Sequence, residues 1–438
     1  MTNVMQIPLS DIDFGTEEEL AVLRVLRSRW LSMGEETRCF EQAFADSVGT
    51  RHAIAVANGT AALHLAKLSM GIGAGDAVLQ PAVNFVAGAN MTIAIGAEPV
   101  FVDICSLEEP TISPDALRSA LTKAAAPRAR PIKAVVVMHY GGYPCRMAEI
   151  RNICDEYALI LIEDACHGVG GTYRSSVDGD RLVGVGEETS GGALKQVTRM
   201  LGTIGDIGCF SFYSNKNMAT GEGGMVVTDR DDVAEKVRFL RSHGMTSLTW
   251  ERHKGHAATY DVVEHGFNYR IDDIRAAIGR AQLKKLQRNN ARRRELTGLY
   301  WQTLTPLSNL GWTLPFKNAY SASTCFSSSS SADSLSAASS TEGRSLPSSH
   351  LLAVVAPDRD TRWRCAHALQ EAGIQTSLHY PFIPAFSGFR DSNALVADTA
   401  LETSRAFCSC VMTLPLFPTM TDEQVHTICE ILLAAAGG

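Results

Sequence analysis

The sequence predicts an α/β protein built on a doubly wound, mostly parallel sheet. Short, almost continuous apolar runs recur along the first half of the chain, as in HAIAVAN (52–58), IKAVVVMHY (132–140) and LILIEDA (159–165). Between them lie segments with apolar residues at helical spacing, such as MAEIRNICDEY (147–157). Strands that are buried on both faces and alternate with helices need crossover connections, and those connections give parallel pairing. Ligands of such sheets sit at the carboxyl ends of the strands.

In chain order, helices are expected over 18–30 (EEELAVLRVLRSR) and 38–47, around Cys39, Phe40 and Phe44. The strand at 52–58 runs into Gly59-Thr60, and a helix follows in AALHLAKLSMGI (61–72), closed near Gly73. Strands are expected at AVLQPA (77–82), EPVFVDI (98–104), 132–140 and 159–165. After residue 350 the pattern returns as a strand, LLAVVAP (351–357), and a helix, RWRCAHALQEAG (362–373), stopped by Gly373. EQVHTICEILLAAA (423–436) closes the chain as an amphipathic helix. Two segments break the rhythm. Residues 175–201 are Gly-rich and polar, and 321–349 hold 14 serines without periodicity; both are expected to be loops.

The 438 residues suggest two or three domains at roughly 150 residues each. A net charge of −7 disfavours a nucleic-acid partner, which would call for a basic surface. No apolar run approaches the ~20 residues that span a bilayer. The opening MTNVMQIPLSDIDF lacks a basic region followed by an apolar stretch, so the expected location is the cytoplasm. Eleven cysteines without a framework fit reduced thiols. Cys408 and Cys410 are expected on one face of a strand rather than at a metal, because no second ligand pair accompanies them.

Five features carry chemistry. Lys216 follows the aromatic run CFSFY and precedes a loop with Gly221, Gly223 and Gly224. Desolvation there lowers its pKa, and a neutral amine forms a Schiff base with an aldehyde. Asp164 ends a very apolar strand, where a carboxylate needs a partner; the protonated ring nitrogen of pyridoxal 5'-phosphate (PLP) would be one. His167 could hydrogen-bond that ring's hydroxyl. Gly59, Thr60 and Ala61 open a helix, whose free N–H groups suit a phosphate, with the Ser211 hydroxyl beside them. Phe85 could stack on the ring. Each residue has a purely structural alternative: a snorkelling lysine, a helix-capping aspartate, a core histidine or aromatic. Gly184-Val-Gly186 hints at a nicotinamide site, but no clear helix follows it.

Taken together, NGTAALH (58–64), EPVFVDI (98–104), IEDACHG (162–168), GDIGCFSFYSNKN (205–217), TGEGGMVVTD (220–229), GFNYRIDDIRAAIGRAQLKKL (266–286) and LPLFP (414–418) resemble the DegT/DnrJ/EryC1/StrS sugar aminotransferases. The resemblance covers about 15–318 and 350 to the end. It implies a fold-type I PLP transferase: a large domain, 1–285, with a seven-stranded-type sheet between helices, and a smaller α/β domain, 286–438. It implies Lys216 as the Schiff-base lysine, Asp164 at the ring nitrogen, His167 at the ring hydroxyl, and Thr60, Ala61 and Ser211 at the phosphate. Asn268 would reach the phosphate of a neighbouring subunit's cofactor, making the site that of a homodimer. His379 and Tyr380 would line the substrate mouth. The implied reaction moves an amino group from glutamate or glutamine to a keto-sugar, a nucleotide-linked keto-deoxysugar; a cyclitol or other non-sugar ketone as acceptor, or a PLP-binding regulatory protein without turnover, are the alternatives. No metal is expected. The segments 175–201 and 321–349 depart from the family's plan.

Overall fold

A computed structural model describes residues 6–124, 130–178, 181–183, 194–246, 259–318, 345–390 and 401–437. Helices α1 (Thr16–Ser28) and α2 (Glu35–Val48) precede β1 (His52–Val56). Then α3 (Gly59–Ser69) leads to β2 (Ala77–Pro81), α4 (Ala87–Ala94) to β3 (Glu98–Val102), α5 (Pro114–Ala124) to β4 (Ile132–Met138), and α6 (Met147–Glu156) to β5 (Ile160–Asp164). Strands β6 (Thr172–Asp178), β7 (Arg181–Val183) and β8 (Lys195–Met200) intervene before β9 (Ile207–Ser211), β10 (Gly224–Thr228) and α7 (Asp231–Arg241). The long α8 (Asp273–Thr303) follows, then β11 (Leu352–Val355), α9 (Arg359–Glu371), α10 (Glu402–Cys410), β12 (Val411–Leu414) and α11 (Asp422–Gly437).

Seven strands form one sheet in the order β1-β10-β9-β5-β4-β2-β3. From β9 to β3 the pairing is parallel, and β10 runs antiparallel to both of its neighbours. The sheet is therefore mostly parallel, as the alternation of strands and helices predicts. Its central strands are buried on both faces, by Ile54, Val136, Ile162 and Cys209 on one side and Val135, Val137 and Leu161 on the other. β11 and β12 make a separate antiparallel pair.

The 31-residue α8 joins two cores. Near its start, Ala276 and Leu286 pack with Phe40, Phe44, Phe210 and Phe212. Near its end, Leu296, Tyr300 and Trp301 pack with Leu352, Leu369, Leu414 and Ile428. Position 285, expected as a domain boundary, falls inside this helix. No helix among the described residues is long and apolar enough to cross a membrane.

Three expectations need correction. Residues 175–201 are not a plain loop: β6, β7 and β8 form an antiparallel sheet of order β7-β6-β8. Only alternate residues there (Tyr173, Val177, Val197) meet the core beside Leu182, so the composition stays polar although the chain is extended. Residues 179–180 and 184–193, with the Gly184-Val-Gly186 run, lie outside the described residues. So does most of the Ser-rich stretch, but 345–349 does not behave as a loop in solvent. Thr172 donates its N–H to the Leu346 carbonyl at 2.7 Å, and Ser348 and Ser349 are fully buried. Cys408 and Cys410 lie on α10 rather than on a strand, and both thiols are free.

Strand β5 ends in two consecutive buried carboxylates, which alternation sends to opposite faces. Glu163 Oε2 accepts from Gly202 N at 2.8 Å and pairs with His139 Nε2 at 2.9 Å. Its Oε1 accepts from Ile204 N at 2.5 Å and from Gly205 N. Burial pushes the Glu163 carboxyl up, but these donors, His139 foremost, outweigh it and hold the group below its ordinary 4.5. The stabilisation is thus present above about pH 4.5 and is lost as pH falls through the lowered value. Glu163→Ala, which strands His139 and three N–H groups, should cost about 3–5 kcal/mol. Urea unfolding at pH 7 measures the loss, and repeating it toward pH 3 should bring variant and wild type together.

Candidate active site

The carboxyl ends of β1, β2, β4, β5 and β9 open on a cavity of about 390 Å³. That is within the ~300–1,000 Å³ of small-molecule sites, and at the sheet edge where doubly wound folds bind ligands. Asp164, the last residue of β5, faces into it and is 3% exposed. Its Oδ1 accepts from Cys166 N at 3.2 Å and its Oδ2 from Asn84 Nδ2 at 3.3 Å. Lys216 lies on the loop after β9, with its N–H bonded to the Tyr213 carbonyl. Its Nζ makes no hydrogen bond among the described residues. Burial lowers its pKa, and the nearby Cys166 and Asp164 offset this only in part.

The turn from β1 into α3 supplies the cavity's positive end. Asn58 caps α3, its side chain accepting from Ala61 N at 2.8 Å. Ala61 is therefore engaged and does not line the cavity, whereas Gly59 and Thr60 do. The turn is pressed onto its neighbours. A Cβ at Gly59 would stand 2.8 Å from Ser211 Cβ, and one at Gly224 would stand 2.5 Å from the Asn58 carbonyl. The Ser211 hydroxyl lines the cavity beside this turn.

His167 also lines the cavity and is 3% exposed. Its Nε2 lies 2.8 Å from the Tyr380 hydroxyl, and its Nδ1 is buried without a partner among the described residues. Burial pushes its pKa well below the usual imidazole range, and Lys216 and His379 add to this. Phe85 stands at the mouth, 55% exposed, with its ring centroid 6.0 Å from that of Tyr380. His379 lines the cavity with Nδ1 3.0 Å from Thr413 Oγ1; burial, with Lys216, lowers it to about 4. Tyr380, expected at the substrate mouth, also lines the cavity; it is buried, with its hydroxyl against His167. Asn268 is exposed and does not line its own chain's cavity.

Sequence reasoning passed over Asn58, Asn84, Cys166 and Lys67. Asn58 was within reach, since an Asn before a periodic run is a helix-cap signal. Asn84, in PAVNF, shows only as a polar residue in an apolar stretch.

A lysine at the sheet edge beside a buried carboxylate, with a helix N-terminus across the same cavity, is the equipment of an aminotransferase. The chain belongs to the DegT/DnrJ/EryC1/StrS aminotransferase family, whose sequence pattern matches residues 13–433. It is 33% identical over 435 residues to the spore coat polysaccharide biosynthesis protein SpsC of Bacillus subtilis, covering 97% of this chain and 95% of SpsC. The aminotransferase TlmJ of Streptoalloteichus hindustanus shares the fold with a TM-score of 0.77 at 27% identity, over 98% of this chain and 99% of TlmJ. DesV of S. venezuelae, solved with a ketimine intermediate, gives a TM-score of 0.73 at 28% identity, over 96% and 95%. The family and these structural relatives are PLP-dependent aminotransferases.

Lys67 adds an electrostatic burden behind the site. It lies one helical turn beyond Leu63 on α3, is 0% exposed, and its Nζ has no hydrogen-bond partner among the described residues. Burial lowers its pKa from 10.5 to about 8, although Cys209 and Asp164 pull the other way. A lowered lysine destabilises the fold where the unfolded chain binds the proton and the folded one does not hold it well. Stability therefore rises as pH climbs from about 8 toward 10.5. Lys67→Met, similar in shape and uncharged, should stabilise the protein at pH 7 by up to about 3 kcal/mol. Urea unfolding at pH 7 and pH 10 checks this: the gain should shrink at the higher pH.

Proposed function

We propose that this aminotransferase moves an amino group from glutamate or glutamine to a keto-sugar, a nucleotide-linked keto-deoxysugar for polysaccharide or secondary-metabolite synthesis, using PLP. The observation that carries the reading is the Lys216–Asp164 pair across one cavity from the N-terminus of α3. The SpsC likeness, with spore coat polysaccharide biosynthesis in that protein's name, supports a sugar acceptor.

The residues present fit PLP. Buried His167 Nδ1 lacks a partner, as a group waiting for a ligand atom would. Gly59 and Thr60 N–H groups and the Ser211 hydroxyl suit its phosphate, and Phe85 suits one face of its ring. When bound, the cofactor supplies an electron sink for the substrate carbon that loses a proton. Lys216 would hold the cofactor through its aldehyde carbon, and its amine, when free, would move the proton on and off the substrate carbon. Its lowered pKa keeps the amine available as a base. Asp164 would face the ring nitrogen and hold a proton there. His379 borders the space left for the acceptor.

The acting unit is a homodimer in which Asn268 reaches the cofactor phosphate of the neighbouring subunit. Its exposure and its place outside its own cavity support this. The ten cysteines among the described residues are all free, which supports a reducing compartment, the cytoplasm.

Glutamate added to PLP-loaded protein should bleach the visible absorption band and raise one in the near ultraviolet, the half-reaction of an amino transfer. A band indifferent to every amino donor would point to a protein that binds PLP without transamination. Lys216→Ala should abolish turnover while cofactor still binds. Asp164→Ala should lower kcat by roughly 10³-fold or more, the scale of losing one preorganised active-site group; near-normal turnover would remove Asp164 from its role.

A further inference from the structure

The pair His167–Tyr380 does more than fill space. A neutral imidazole has one donor and one acceptor nitrogen. His167 is kept neutral by burial, and burial likewise keeps the Tyr380 phenol protonated. Their contact, Tyr380 Oη to His167 Nε2 at 2.8 Å, admits two proton arrangements. If Nε2–H donated to the phenol oxygen, the Tyr380 hydroxyl hydrogen would be left without an acceptor among the described residues, at a cost of about 1–3 kcal/mol. If the phenol donates to Nε2, that hydrogen is satisfied and the imidazole proton stands on Nδ1. Nδ1 is the ring atom that is buried and unpartnered among the described residues. The second arrangement wins.

The ring cannot easily escape this assignment. The His350 ring lies 4.3 Å from the His167 ring, centroid to centroid, and the His167 carbonyl accepts from Ser348 Oγ at 2.5 Å. Tyr380 is itself packed among Tyr140, Phe382 and Phe407.

We propose that Tyr380 is a positioning residue that locks His167 in the Nδ1–H tautomer, so that Nδ1 presents a fixed donor to the ring oxygen of the cofactor. This rests on the PLP reading above. A donor on that oxygen stabilises its negative charge, so the oxygen holds less firmly the proton it shares with the nitrogen of Lys216. Removing Tyr380's hydroxyl frees the tautomer and weakens the donor, and the shared proton is then held to higher pH.

The experiment is a pH titration of the visible band of the PLP-loaded protein, comparing wild type with Tyr380→Phe, in the native His167 and the His167→Phe backgrounds. Tyr380→Phe should move the midpoint up by about 0.4–1 pH unit, the scale of one hydrogen bond. In the His167→Phe background the same change should move nothing, because the two residues act as one unit. An unchanged midpoint in Tyr380→Phe, or an equal shift in both backgrounds, overturns the proposal and leaves the PLP reading intact. Absence of any band in the wild type overturns both. Ring ¹⁵N chemical shifts of His167 in the unaltered protein give a second reading that needs no variant: a protonated Nδ1 is expected, and a protonated Nε2 overturns the tautomer assignment.

Discussion

Removing a carboxylate from water is expensive unless its oxygens are matched, and β5 ends by burying two in succession. Much of the site depends on how each is matched. Glu163 turns away from the cavity and gathers His139 and the N–H groups of Gly202, Ile204 and Gly205. It thereby ties the end of β4 and the approach to β9 to the strand between them. Asp164 turns the other way and, among the described residues, gathers fewer donors, chiefly Asn84 Nδ2 and Cys166 N. A carboxylate accepts about four hydrogen bonds. One of the pair is therefore nearly saturated and structural, and the other keeps capacity for a ligand. Adjacent identical chemistry is divided by strand alternation alone.

The same burial sets the charge state of the rest of the cavity. It lowers Lys216, His167 and His379 together, and Lys216 pushes both histidines further down. Like charges in one poorly solvated space cannot all be held, so the imidazoles give way first, having the lower ordinary pKa. Neutral histidines are directional hydrogen-bonding groups rather than cations. The cavity's positive character then rests on Lys216 and on the N-terminus of α3.

The main sheet was legible in the sequence because its strands are buried on both faces and read as unbroken apolar runs. The insertion was not. In β6 and β8 only alternate residues touch the core, and the exposed Lys195, Gln196 and Arg199 carry the composition toward that of a loop. Cys408 and Cys410 misled for a related reason: a spacing of two suggests one face of a strand, but the pair closes the last turn of a helix just before β12 begins. In the site, Lys216, Asp164 and the Gly59-Thr60 turn stand out in the sequence because each follows or ends an apolar strand, and they line one cavity; the Ala61 N–H is engaged by the Asn58 cap. Tyr380's contact with His167 joins residues 213 positions apart, which no local pattern reveals.

The Ser-rich stretch ends against the back of the site, at the His167 carbonyl. Ser348 reaches the His167 carbonyl only because Gly142 has no side chain: a Cβ there would stand 1.9 Å from Ser348 Oγ, and its φ of +85° also favours glycine. Beside it, Asn217 donates to the Ser348 carbonyl and to Asn290 Oδ1 of α8, both at 2.7 Å, and accepts from His350 Nδ1 at 2.9 Å. Asn217 is the residue after Lys216. The backbone that carries the lysine is therefore pinned by its neighbour to two distant segments, α8 and residues 348–350, while Lys216 Nζ itself makes no hydrogen bond among the described residues. A rigid seat with a free end is the division that the role proposed for Lys216 calls for. The segment least legible in the sequence thus terminates in the residues that hold the most legible one in place.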